Sequence, residues 1–126
     1  QKGLVVLLGV EDGDTKKDAD YIADKVSGLR IFDDSEGMMN LSVSDIGGGI
    51  LSVSQFTLLA DARKGKRPSY SKAARPEAAK ELYDYFNTKI EEKGITVGKG
   101  IFQAEMLVKI YNDGPVTILL DSKKTF

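Results

Sequence analysis

The 126-residue chain contains no cysteine, no histidine and no tryptophan, and only three prolines. Without cysteine there is no disulfide framework, thiol nucleophile or thiolate metal site. Without histidine there is no Ser-His-Asp triad and no imidazole ligand for zinc. Any catalysis therefore falls to carboxylates, Lys, Tyr, hydroxyls, backbone amides or a group on the substrate. No apolar run approaches the length of a membrane span, and no signal-peptide pattern is present. A reducing cytoplasm suits a chain without cysteine, and the expectation is a cytoplasmic protein with no metal, no cofactor and no membrane partner. The net charge of −1 argues against wholesale coating of nucleic acid, while leaving room for a local basic patch.

What is present is the composition of an ordinary globule, 41% hydrophobic and 29% charged, of a size that fits one domain over residues 1–126. The first residue is Gln1, and the chain runs almost at once into the apolar stretch Gly3-Leu4-Val5-Val6-Leu7-Leu8-Gly9-Val10. That stretch has the length and continuity of a buried central strand. Its abrupt start gives the expectation that an N-terminal piece lies outside the sequence.

Thr15-Lys16-Lys17-Asp18 has the form of a capping box, with Asp in place of Glu. Ala19, Ile22, Ala23, Val26 and Leu29 then follow helical spacing. A second helix is predicted over 76–93, with Pro76 in the first turn, an apolar face of Ala79, Leu82, Tyr83, Phe86 and Ile90, and Gly94 as its stop. Short strands are expected at 29–32, 38–43 and 95–97, and longer ones at 50–60, 106–111 and 116–120. The glycine-rich 45–49 stretch lacks the Lys-Ser/Thr of a phosphate loop and fits a hairpin connection. The expected class is α+β, with a mostly antiparallel, barrel-like sheet and two helices packed on it.

Three stretches carry candidate chemistry. In 50–60, period-two alternation places Gln55 and Thr57 on the face of Leu51 and Val53. Such polar residues either mark a strand leaving the core or line a cavity. Arg63, Lys64, Lys66, Arg67, Lys72 and Arg75 are broken up by Gly65 and Pro68, with Tyr70 the one aromatic and no acid among them. This loop is either solvated surface or a phosphate-contact element, with Lys64, Lys66 and Arg67 as the candidate contacts. Asn112-Asp113-Gly114-Pro115-Val116-Thr117 separates two apolar runs, and Asp-Gly there is a hairpin signal. Pro115 donates no backbone hydrogen bond and belongs at a strand end, an edge or a bulge. The stretch is either a connector or a rigid tip that presents backbone groups to a ligand.

Taken together, Ser54-Gln55-Phe56-Thr57-Leu58 and residues 112–117 resemble the paired signature of the D-aminoacyl-tRNA deacylases. Lys64-Gly65-Lys66-Arg67-Pro68-Ser69-Tyr70, the Leu4 to Val10 run, Gly13-Asp14-Thr15 and Leu29-Arg30-Ile31-Phe32 extend the likeness over essentially the whole chain. The resemblance implies hydrolysis of the ester joining a D-amino acid, or mischarged glycine, to the 3′-terminal adenosine of tRNA. It implies a homodimer in which Gly114 and Pro115, joined by a cis peptide bond, enter the partner's site and exclude L side chains. Backbone amides around Gln55 and Phe56 would hold the adenosine end and the developing oxyanion. Ser54, Thr57, Ala73, Phe102 and Met106 complete the implied substrate site. Thr117 occupies the place of a threonine considered as a nucleophile. A hydroxyl needs an adjacent base for that role, so hydrolysis assisted by the substrate's ribose 2′-hydroxyl is preferred. One oxyanion donor is worth roughly 3–4 kcal/mol.

Two departures stand out. Phe102-Gln103-Ala104 replaces the family's Phe-Gly-Ala, and no counterpart of the family's N-terminal strand pair, with its supporting arginine, is present. Two other readings compete: a nucleic-acid-binding protein without hydrolysis that uses the 63–75 loop, and a dimeric scaffold whose Gly-Pro loop is an interface device.

Overall fold

The computed structural model describes residues 2–126. In chain order the elements are β1 (Gly3–Leu8), α1 (Lys16–Gly28), β2 (Phe32–Asp33), β3 (Met39–Leu41), β4 (Gly49–Ser54), a 3-10 turn (Phe56–Leu59), α2 (Pro76–Glu92) and β5 (Val97–Lys99). The expectation of two helices in an α+β domain holds. The mostly antiparallel, barrel-like sheet does not. The main sheet is open and parallel, in the order β1-β4-β5, and β2 and β3 form a separate antiparallel pair. The connections explain this: long crossovers containing α1 and α2 return the chain to the same end of the sheet, as parallel pairing requires. For the same reason the glycine-rich 45–49 stretch is not a hairpin connection, since β3 and β4 lie in different sheets.

β1 is an edge strand rather than the expected central one, pairing only with β4 from Gly3↔Gly49 to Leu8↔Ser54. Its residues alternate in burial. Leu4, Val6 and Leu8 pack on a core formed by Ala23 and Val26 of α1, Ile50 of β4, and Phe86 and Ile90 of α2. Val5, Leu7 and Leu51 face the other way and remain exposed. The helices thus cover one face of the sheet.

Both helices begin as the sequence directs. Thr15 and Asp18 form a complete reciprocal capping box, satisfying two of the amides that open α1. Pro76 sits in the first turn of α2, and Gly94 follows its end with φ +81°. Tyr83 ties this layer to the sheet, its buried hydroxyl donating to the Ser52 carbonyl at 2.8 Å.

The strands expected at 106–111 and 116–120 are absent, and residues 100–126 contain no helix or strand. Leu107, Ile110, Tyr111, Ile118 and Leu119 are exposed. A hairpin with no third strand or packed layer to cover it is marginal in water, and no element among the described residues covers this one. The Gly114–Pro115 bond is trans, not cis, as no cis peptide bond occurs among the described residues. Trans is the intrinsically favoured isomer where no packing selects the other.

Candidate functional site

β4 stops at Ser54 because the chain turns at Gln55 into the 3-10 turn, so the alternation expected through residue 60 ends there. Gln55 and Thr57 still meet: the Gln55 side-chain amide donates to the Thr57 hydroxyl, with both residues half-buried. The Gln55 N–H continues the sheet, donating to the Leu8 carbonyl at 2.8 Å. Phe56 and Thr57 open the turn, so their N–H groups have no carbonyl three residues back within it. Of the two expected amide donors, Gln55 is therefore committed to the fold, and Phe56 makes no backbone hydrogen bond outside the turn among the described residues.

Gly9, at the end of β1, permits this arrangement. A Cβ on Gly9 would lie 2.6 Å from Leu59 Cδ2, 3.1 Å from the Leu58 Cβ and 3.3 Å from the Gln55 carbonyl oxygen. The turn is thus seated against a strand end that has no room for a side chain.

The basic loop is pinned at its base. Asp61 and Ser69 exchange backbone hydrogen bonds of 2.7 and 2.9 Å, closing a loop that carries Arg63, Lys64, Gly65 (φ +66°), Lys66 and Arg67. Arg63 is not a free cation. Its guanidinium forms two bonds to the Asp61 carboxylate, at 2.9 and 2.6 Å, and these hold Asp61 far below the usual carboxylate range. Lys64, Lys66 and Arg67 are exposed and form no ion pair among the described residues. Next to Ser69, Tyr70 meets Phe56 edge-on, with centroids 5.4 Å apart and an interplanar angle of 65°. The basic loop and the 54–58 stretch are therefore joined by an aromatic contact that sequence spacing could not show.

Ala73 is half-buried and bridges to Glu11, and the Asp12 N–H donates to the Lys72 carbonyl at 2.8 Å. Phe102 lies 6.3 Å from the Tyr83 ring and joins the cluster of Val10, Ala79 and Leu82. Met106 places its thioether against Gly100, close enough that a Cβ there would meet its Sδ at 3.2 Å. Gln103 adopts φ +62° as the third residue of a turn closed by Ala104 N–H to the Ile101 carbonyl at 3.1 Å. That left-handed position favours glycine.

Residues 112–117 are exposed, with Gly114 at φ +133°. Among the described residues their only side-chain hydrogen bond is a long one, 3.5 Å from the Asn112 amide to the Thr117 hydroxyl. Among the described residues no basic or acidic side chain hydrogen-bonds to Thr117, and no hydrogen bond links 112–117 to 54–58. Beyond this stretch the chain is held again. Ser122 donates to Asp18 at 2.8 Å, and Lys123 pairs with Glu11 and with Asp14, the latter at 3.1 Å. The Glu11 and Asp14 carboxylates raise the Lys123 pKa well above its ordinary value. Sequence reasoning missed this latch, which joins residues more than a hundred positions apart.

A cavity of about 310 Å³ is lined by Leu58, Leu59, Asp61, Arg63 and Lys72 among others, and one of about 540 Å³ lies at the end of α1. Neither includes a residue of 112–117. Among the described residues no cluster of three or more acidic, His or Cys side chains is placed to hold a metal ion, and no helix is long and apolar enough to cross a membrane.

Comparison with known proteins bears on the whole chain. The family model described as D-Tyr-tRNA(Tyr) deacylase matches residues 1–121. A D-aminoacyl-tRNA deacylase of Koribacter versatilis is 60% identical over 126 residues, covering 100% of this chain and 85% of that protein. The D-aminoacyl-tRNA deacylase of Clostridioides difficile is 59% identical over 125 residues, covering 99% and 84%. Among solved structures, that of a c-Myc DNA Unwinding Element Binding Protein aligns with a TM-score of 0.83 at 38% identity, over 90% of this chain and 78% of its own. A probable eukaryotic D-amino acid tRNA deacylase aligns with a TM-score of 0.57 over 73% of this chain and 54% of its own, at 19% identity, a likeness of fold.

Proposed function

The chain belongs to the D-aminoacyl-tRNA deacylase family, and from that premise we propose that it hydrolyses the ester of D-aminoacyl-tRNA, releasing D-amino acid and tRNA. The observation that carries this reading is the turn at Gln55. It leaves the Phe56 N–H without a backbone partner outside the turn, beside an exposed aromatic pair and a pinned cationic loop. A fixed amide aimed at a developing oxyanion is the contribution this chain can make without histidine or cysteine. Thr57 and Gln55 support that amide through their mutual hydrogen bond. Lys64, Lys66 and Arg67 meet the phosphates near the 3′ end.

In this reading the terminal adenosine lies along residues 54–57, and its 2′-hydroxyl helps to activate the attacking water. Thr117 does no chemistry, consistent with the lack of a base beside it. Stereochemistry is set by the Gly114–Pro115 backbone of a second copy, so the working unit is a homodimer. The exposed apolar side chains of 106–119, and Val5, Leu7 and Leu51 on the uncovered sheet face, are the surface such a partner would cover. Glycyl-tRNA, which has no side chain to exclude, is then also a substrate.

The test is hydrolysis of matched D- and L-tyrosyl-tRNA, repeated with tRNA ending in 2′-deoxyadenosine. The D ester is cleaved, the L ester is spared, and the deoxy substrate is slow. Equal D and L rates would overturn the filter, and unchanged hydrolysis of the deoxy substrate would remove the 2′-hydroxyl. A second reading, nucleic-acid binding without hydrolysis, is favoured by the 38% identity to the c-Myc DNA Unwinding Element Binding Protein and by the pinned loop. It requires binding with no ester cleavage in the same assay.

A further inference from the structure

Phe56 and Tyr70 are an aromatic pair in the wrong place for a core contact. The two residues remain 57% and 40% exposed, and their rings meet edge-on at 65°, an arrangement in which the two rings do not cover each other face to face. The Tyr70 hydroxyl makes no hydrogen bond among the described residues. Tyr70 follows directly on the Asp61–Ser69 bridge that pins the cationic loop, and Phe56 follows Gln55, whose N–H is fixed to β1. Two rigid anchors thus hold two exposed rings together, with Lys64, Lys66 and Arg67 on the adjoining loop. Paired exposed rings beside unpaired cations are the elements of single-strand recognition: every base has a π-face to stack, and a phosphate links each nucleotide to the one before it.

We propose that the Phe56–Tyr70 pair is a stacking platform for a base of the single-stranded 3′ end of RNA, whose phosphates meet the pinned loop. Tyr70 is then a binding residue for the substrate's nucleic-acid portion. This rests on the deacylase reading for the identity of the RNA, and it adds a contact to the part of the substrate that does not react. A duplex fits less well, because its bases are already stacked and offer no free face.

The probe is an RNA acceptor-stem hairpin ending in CCA, with 2-aminopurine replacing the terminal or the penultimate base in separate preparations. The chain has no tryptophan to compete with its fluorescence. Binding of the wild-type protein should quench one of the two probes, and Tyr70→Phe, which keeps the ring, should preserve the quench. Tyr70→Leu should lose it and raise Kd by about 5- to 150-fold. If Tyr70→Leu fails to fold, Tyr70→Met, unringed but of similar reach, serves instead. Equal quenching and a Kd within about twofold of wild type in the ringless variant would overturn the platform.

Hydrolysis of D-aminoacyl-tRNA is measured in parallel. Ester cleavage with a Tyr70-independent quench sinks the platform and leaves the deacylase reading standing. A Tyr70-dependent quench without cleavage keeps the platform and sinks the deacylase reading.

Discussion

The two signature stretches live in different physical circumstances. Residues 54–58 are held from several sides: by the Leu8 carbonyl, by close packing at Gly9, by the Gln55–Thr57 contact and by Tyr70. Residues 112–117 are exposed and carry, among the described residues, a single long side-chain hydrogen bond. Half of the expected site is therefore held by several contacts of the fold, while the other half is held by few; under the homodimer proposed above, that second half would be ordered by a partner. Stability and activity should separate along the same line.

The largest effect is expected where the two should part most. Gly114→Ala adds a side chain at φ +133°, and kcat/KM for D-aminoacyl-tRNA should fall by about 100-fold through displacement of the loop. The thermal midpoint should barely move, because the segment makes few contacts. A large drop in midpoint at unchanged activity would break the comparison. Gly9→Ala tests the other stretch, where activity and stability should fall together. Overpacking against Leu58 and Leu59 should cost about 1–3 kcal/mol, read from denaturant midpoints beside the initial rate.

Asp18 sits where the C-terminal tail rejoins the compact part. The Thr15 N–H and then the Ser122 hydroxyl lower its pKa below the ordinary 3.8. The folded value is depressed, so the stabilisation is complete above about pH 4 and is lost as pH falls through the folded value. Ser122→Ala should raise that value toward 3.8 and flatten the acid limb of the stability curve; an unchanged Asp18 titration by NMR would remove the tail from the linkage. The smallest effect is at Gln103, held at φ +62°. Gln103→Gly should stabilise by about 0.5–1 kcal/mol, relief of left-handed strain exceeding the chain-entropy cost of glycine. A destabilised variant would mean that the Gln103 side chain makes a contact worth more than the strain.

What the sequence made legible was local. The Thr15–Asp18 box, the α1 and α2 faces and the stop at Gly94 depend on neighbours within a few residues, and the structure has all of them, whereas the strand expected over 50–60 ends at Ser54. Pairing partners were not legible. An apolar run has the same pattern in an edge strand as in a central one, so pattern alone misplaces β1, and it cannot tell crossover connections from hairpins. Residues 106–120 have strand-like composition, yet composition cannot supply the layer that a strand must lie against. Within the candidate site, Gln55, Phe56 and Thr57 were singled out by pattern and resemblance. The contact of Tyr70 with Phe56 and the Arg63–Asp61 pair emerged only from distances. The acid that neutralises Arg63 lies just before the basic run, where a count from residue 63 onward overlooks it.

The commitment of the Gln55 N–H to Leu8 has a readout that needs neither substitution nor substrate. In amide hydrogen exchange, neighbouring positions of one motif should diverge. Gln55 should exchange only with the opening of the β1–β4 sheet, while Phe56 exchanges at a rate close to that of an unprotected amide. Adding RNA or charged tRNA should slow the second and leave the first unchanged, so that a single pair of adjacent amides distinguishes scaffold from ligand contact.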